Sequence, residues 1–237
     1  MLVQMINRLL ELAGPKVQYF HSLPYSDTEL QLVRPPRTEG VTLSTLTGLV
    51  DAIRAGLDGI KVNDWLLVVH DFNAVSLVAR KADPFGTRQA LITTALNHGE
   101  PFPFGLFRER GEFVIGLLSK FVPGGDLDKV LQLASSLQAS SVTVAEDDGV
   151  SQKTTVKQGV VLKEQVIVKG RVSLRPYRTF REVEQPMSDF VFRLRSQQGE
   201  VPQCALFEAD GKKWKLDAVL TIKAWLDAQN LGIPVVA

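Results

Sequence analysis

The sequence predicts an α+β fold: a mixed, largely antiparallel sheet with helices packed on it, preceded by an N-terminal helical arm. Two observations carry that expectation. Apolar residues recur every three or four positions through much of the first half, whereas beyond Ser140 they alternate in short runs joined by Asp-, Gly- and Ser-rich turns. The chain is also large enough to bury a substantial core, with 237 residues of which 45% are hydrophobic. No repeat, low-complexity tract or obvious linker divides it. The expected organisation is an arm over residues 1–40 and one α+β domain over 41–237, with subdivision near Ala139 into helix-rich and sheet-rich halves as the alternative.

The opening LVQMINRLLELA sets Leu2, Met5, Ile6, Leu9, Leu10 and Ala13 on one helical stripe, and Gly14-Pro15 stops it. Pro24, Pro35 and Pro36 punctuate the segment from Val17 to Gly40, which reads as an arm or linker without structure of its own. From Thr42, a candidate cap, Leu43, Leu46, Val50, Ile53 and Leu57 mark a helix closed by Gly59. WLLVVH and AVSLVA read as a hairpin about Asp71-Phe72-Asn73. TRQALITTALNHG fits helix or strand, since Ala and Leu favour one and Ile-Thr-Thr the other.

PFPFGLF is expected to be extended, with Phe102, Phe104 and Leu106 pointing one way. Phe113 to Phe121 resembles a buried helix ended by Pro123-Gly124-Gly125. Asp126 then caps another helix bearing Leu127, Val130, Leu131, Ala134 and Leu137. SVTVAE, KTTVKQ, VVLKEQVIVKG and RVSL are β-type runs. FVFRLR is the clearest strand, with Phe190, Phe192 and Leu194 on one face; after a Gln-Gln-Gly turn QCALFEA pairs with it. Asp210-Gly211 is read as a hairpin turn into a strand KKWKL. Asp217 then caps a helix with Val219, Leu220, Ile222, Trp225 and Leu226 inward, and IPVVA adds an edge strand.

Composition excludes several functions. Lys and Arg total 27 against 26 Asp and Glu, so no global field gathers nucleic acid or an anionic membrane. The longest apolar runs fall far short of the roughly 20 residues that cross a bilayer. One cysteine makes no intrachain disulfide, and no leader pattern opens the chain, so a cytosolic protein without membrane contact is expected.

No catalytic, cofactor or metal constellation emerges. Cys204 sits on an apolar strand far in sequence from His21, His70 and His98, and reads as packed. Glu208-Ala209-Asp210 could share a magnesium ion, but one nuclease pattern wants lysine where Asp210 stands; a turn is the simpler reading. EDDG at Glu146 to Gly149 lacks calcium-loop spacing, and no Gly-rich phosphate loop, dinucleotide fingerprint or Cys/His zinc pattern occurs. Two basic clusters remain as candidate contacts for nucleic acid or a partner. Arg171, Arg175, Arg178 and Arg181 interleave with Tyr177 and Phe180, and Lys212, Lys213 and Lys215 surround Trp214.

The segments TLSTLTGLVDAI, EDDGVSQ, LRPYRTFREVEQPMSDFVFRLR and CALFEADGKKWKLDAVLTIKAWL resemble those of the YfdQ-like family, uncharacterised proteins carried by bacteriophages and prophages. The resemblance runs from about Val41 onward and is densest after Arg175. It implies a phage or prophage origin and supplies no catalytic residues. The expected function is therefore that of a non-catalytic accessory protein in the host cytosol. It would act through homo-oligomer formation or by binding another phage or host protein. The alternative is single-stranded nucleic-acid binding in phage recombination or replication.

Overall fold

A computed structural model describes residues 2–13, 17–26, 39–97, 99–136, 142–147, 152–158, 161–168, 170–195 and 202–237. The Gly14-Pro15 stop, Pro35-Pro36, His98, Leu137, the Gln-Gln-Gly turn and the end of the EDDG cluster lie outside them. The fold is α+β. In chain order the elements are α1 (Leu2–Ala13), β1 (Val17–Phe20), β2 (Leu23–Ser26), β3 (Val41–Leu43), α2 (Leu46–Arg54), β4 (Trp65–Asp71), β5 (Ala74–Ala79) and β6 (Ala90–Ala95). They continue as β7 (Arg108–Glu109), α3 (Arg110–Lys120), α4 (Asp126–Ser136), β8 (Val142–Asp147), β9 (Gln152–Gln158), β10 (Val161–Val168), β11 (Arg171–Leu174), β12 (Ser188–Arg195), β13 (Gln203–Glu208), α5 (Lys213–Ala228) and β14 (Val235–Val236).

The first large sheet has the order β14-β4-β5-β6-β3. Its centre is the antiparallel meander expected of WLLVVH and AVSLVA, and the undecided ALITTA run joins it as a strand. Both edges are parallel: β14 beside β4, as IPVVA suggested, and β3 beside β6. Thr42 therefore belongs to a strand, and the helix begins one turn later, with the Thr45 hydroxyl accepting the Gly48 N–H at 3.1 Å. The three-four spacing from Leu43 was genuine only from Leu46; pairing with β6 claims the residues before it. Helix α2 and helix α5 cover this sheet. Leu46, Leu49, Val50, Leu67, Val75, Leu77, Ile92, Ile222 and Leu226 form its core together with Phe180 and Val183.

The second sheet has the order β11-β12-β13-β7. Phe190, Phe192 and Leu194 of β12 are buried as the alternation requires, and Leu194 stands opposite Cys204 across the pair. These side chains pack with Phe102, Phe113, Leu117 and Phe121, and with Leu127, Val130 and Ala134 of α4. A fully buried phenylalanine of this kind contributes about 1.5–3 kcal/mol relative to an exposed one. Helix α3 has one buried stripe only, for Ile115 and Leu118 are exposed. Asp126 is the first residue of α4, and its carboxylate accepts the Ser173 N–H at 3.1 Å, which ties the helix to β11. Both cores take residues from each side of position 139. A further antiparallel sheet has the order β10-β9-β8.

Three other expectations change. PFPFGLF is not a strand: Gly105 takes φ +76°, the chain turns, and Leu106 ends exposed while Phe102 is buried. KKWKL is not a strand either. Gly211 and Lys212 both take left-handed φ, and α5 starts directly at Lys213, so Asp217 lies inside a helix whose buried residues are Trp214, Ala218, Ile222 and Leu226. Leu220, expected inward, is exposed. Finally, Val17–Phe20 and Leu23–Ser26 pair as a hairpin within the segment read as unstructured, with His21 and Ser22 at φ 51° and 67°.

Candidate functional site

The stretch from Arg175 to Gln185 leaves the second sheet after β11, crosses to the first, and returns to β12. Its backbone is held at both ends of that crossing. Val122 N–H donates to Arg175 O at 2.8 Å and Tyr177 N–H to Lys120 O at 2.9 Å, while the Thr179 hydroxyl donates to Phe72 O. Gln185, buried, holds the bend from within. Its Oε1 accepts the N–H groups of Arg178 and Thr179 at 2.9 and 3.1 Å, and its Nε2 donates to Phe180 O at 2.9 Å. Phe180 and Val183 then enter the first core. A basic, polar-looking sequence is thus a structural bridge with an apolar anchor.

Arg178 is the centre of this bridge. Its side chain is only 8% exposed, with Nη2 lying 2.6 Å from Glu208 Oε1. The guanidinium carbon stands 4.5 Å from the ring centroids of Phe104 and of Trp214 and 5.3 Å from that of Phe190. Burial pushes its pKa down, and the Glu208 and Asp210 carboxylates pull it back. Guanidinium keeps its proton in such surroundings, and planar stacking on rings is what distinguishes it from a lysine ammonium.

The other expected contact residues are distributed around it. Arg171 pairs with Asp189 at 2.8 Å and Arg175 with Glu184 at 3.0 Å, so both carry their own counter-charge. The Ser173 hydroxyl, bonded to Asp189 Oδ1 at 2.6 Å, holds the Asp189 carboxyl below its ordinary range; burial opposes it, and Arg171 and Lys213 add to the lowering. Arg181 stacks on Tyr177, its guanidinium carbon 3.5 Å from the ring centroid. Lys215 reaches over Phe72 at 4.8 Å and Trp214 at 5.8 Å. Lys212 and Lys213 are exposed at the start of α5.

Tyr177, Arg178 and Arg181 line one cavity of about 470 Å³ beside the bridge, whereas Arg171, Arg175, Lys212, Lys213 and Lys215 do not. The remaining walls include Phe72, Phe102, Phe104, Lys120, Glu208 and Trp214, drawn from both halves of the fold. Nothing in the sequence marks Lys120 or Gln185 for this site, and Phe72 reads there only as a turn residue; Tyr177, Arg178, Arg181 and Trp214 are the residues of the site that the basic clusters single out. Gly116 helps shape the wall: a Cβ there would meet Phe102 Cε2 at 3.0 Å, so the ring packs directly on the α3 backbone.

Cys204 is fully buried on β13, and burial raises its pKa from the ordinary 9.0 to about 12, leaving a neutral thiol. Glu208 is engaged by Arg178, and Asp210 Oδ1 accepts the Lys212 N–H at 3.0 Å in the turn before α5. Among the described residues no group of three His, Cys, Asp or Glu side chains converges as metal ligands, and no helix is long and apolar enough to cross a membrane.

Comparison with known proteins finds no matching family model, curated protein or solved structure. The resemblance to YfdQ-like phage proteins rests on the quoted motifs alone.

Proposed function

We infer that this chain is a non-catalytic accessory protein, of phage or prophage origin as its motifs suggest, that acts by self-association through its N-terminal arm. The observation that carries the reading is the exposure of α1: Leu2, Val3, Met5, Ile6, Leu9 and Leu12 are 47–73% exposed. Val17, Tyr19 and Phe20 of the following hairpin are at least half exposed as well. An isolated helix of about 12 residues is marginal in water, and two-stranded hairpins are no better, so such an arm needs a surface to lie on. Contiguous apolar area of this kind marks an interaction site.

The polar residues of α1 favour protein over lipid. Gln4, Asn7, Arg8 and Glu11 supply no excess of positive charge for anionic headgroups. A second copy also offers apolar ground of its own, for Ile115 and Leu118 on α3 and Leu216 and Leu220 on α5 are exposed at helical spacing. Mass measurement on the native protein tests the reading. An oligomer at micromolar concentration that becomes monomeric on deleting residues 1–26 is expected. A strict monomer, or an oligomer indifferent to the deletion, overturns it.

A second reading, single-stranded nucleic-acid binding, draws support from Lys212 and Lys213, exposed at one helix start, and from the Arg181–Tyr177 stack. Against it, Arg171, Arg175 and Arg178 already hold carboxylates. Filter binding at two salt concentrations decides between them, since phosphate contacts weaken steeply with salt.

A further inference from the structure

We propose that the cavity beside the Arg178 bridge is a binding site for a small heteroaromatic anion of the nucleoside monophosphate class. Its volume of about 470 Å³ is within the range of small-molecule sites, and it lies where two cores meet, a common position for them. Five aromatic side chains stand in its walls: Phe72, Phe102, Phe104, Tyr177 and Trp214.

Charge selects the sign of the ligand. Lys120, Arg178 and Arg181 face the cavity with Glu100 and Glu208, and Arg178 and Glu208 neutralise each other. Lys120 Nζ donates to Glu100 O and Pro101 O at 2.6 and 3.2 Å, and among the described residues neither Lys120 nor Arg181 meets a carboxylate. Those two cations are available to an anion. A cationic guest fits poorly, because ring faces that would attract it already carry guanidinium groups: Phe104 and Trp214 that of Arg178, Tyr177 that of Arg181.

One polar atom specifies more than a flat hydrocarbon. Trp214 is 7% exposed, and its Nε1–H is buried without a hydrogen-bond partner among the described residues. Indole nitrogen donates only, and buried donors of this kind are rarely left unmet. An in-plane ring nitrogen or carbonyl of a nucleobase accepts that bond once the indole edge turns toward the cavity that Trp214 lines, while the phosphate meets Lys120 and Arg181. Phosphate and base belong to a free nucleotide or to the end of a strand; a volume of about 470 Å³, the size of one small molecule, favours the free one.

Calorimetric titration of the full chain with adenosine, guanosine, cytidine and uridine monophosphates tests this. At least one should bind with Kd of about 1 mM or tighter. The matching nucleoside should bind at least about tenfold more weakly, and inorganic phosphate alone should be weaker still. Arg181→Ala, an exposed substitution, should weaken the monophosphate about tenfold while the urea midpoint stays put. Trp214→Phe, checked for folding by circular dichroism, should weaken monophosphate and nucleoside alike. No binding by any of the four, equal affinity for nucleoside and monophosphate, or indifference to Arg181→Ala overturns the proposal. A short oligonucleotide that binds more tightly than every monophosphate, with affinity falling steeply in salt, also overturns it by making the site part of a strand groove. The native mass plays no part in these readouts, so failure here is separate from failure of the assembly reading.

Discussion

Arg178 and Glu208, contributed by the bridge and by the end of β13, meet at 2.6 Å with the arginine buried and the glutamate about one-third exposed. The asymmetry decides what each contributes. Glutamate can turn to water; arginine, packed among Phe104, Phe190 and Trp214, cannot. Glu208→Ala should therefore destabilise by about 3 kcal/mol, because it strands a buried charge. Adding Arg178→Met, which keeps the apolar stem and removes the charge, should restore part of that loss. Urea unfolding of both single variants and the double variant checks the sign, and a double variant less stable than Glu208→Ala would refute it.

Gln185 should be the most sensitive polar residue of the bridge. Its removal in Gln185→Ala leaves the N–H groups of Arg178 and Thr179 buried without their acceptor. At about 1–3 kcal/mol for each unmet group, the expected loss is about 2–6 kcal/mol. Hydrogen exchange at Arg178 and Thr179 should accelerate before that of the β12–β13 ladder does.

Cys204 should be inert to alkylation in the native protein and react once urea unfolds it. Its pKa of about 12 carries a linked pH effect. In the pH range above the unfolded thiol's pKa and below about 12, the unfolded chain binds fewer protons than the native one, so stability falls as pH rises. The slope from this group alone is about 1.4 kcal/mol per pH unit. Cys204→Ala should flatten that alkaline limb, and an unchanged limb would contradict the burial of the thiol.

Asp189 acts at the acid end. Its pKa lies below the ordinary 3.8 because the Ser173 hydroxyl and Arg171 favour the carboxylate. As pH falls the unfolded chain takes up the proton first, so the stability Asp189 supplies is present above about pH 4 and lost below it. Asp189→Asn should be less stable than wild type at pH 6, with the difference shrinking by pH 2. A gap that stays constant across that range would show the ion pair to be irrelevant.

Strands β4, β5, β12 and β13, helices α1, α3 and α4, and the inward face of β12 are legible in the amino-acid order. Such features follow from a two- or three-to-four-residue period that any half-buried element must show. That order also placed Arg178, Tyr177, Arg181 and Trp214 among residues of interest. Periodicity names an apolar face without naming what covers it. Whether Arg178 is a solvated charge or a buried hub depends on Phe104, Trp214 and Glu208, and Thr179 reaches Phe72 across 107 residues of chain. The start of α5 depends likewise on packing: Trp214, Ala218, Ile222 and Leu226 are buried in one continuous row, which overrides the strand-like look of KKWKL and the cap-like look of Asp217. Only tertiary structure could decide these points, because burial of a charge or a helix turn is settled by partners distant in sequence and by the water they exclude.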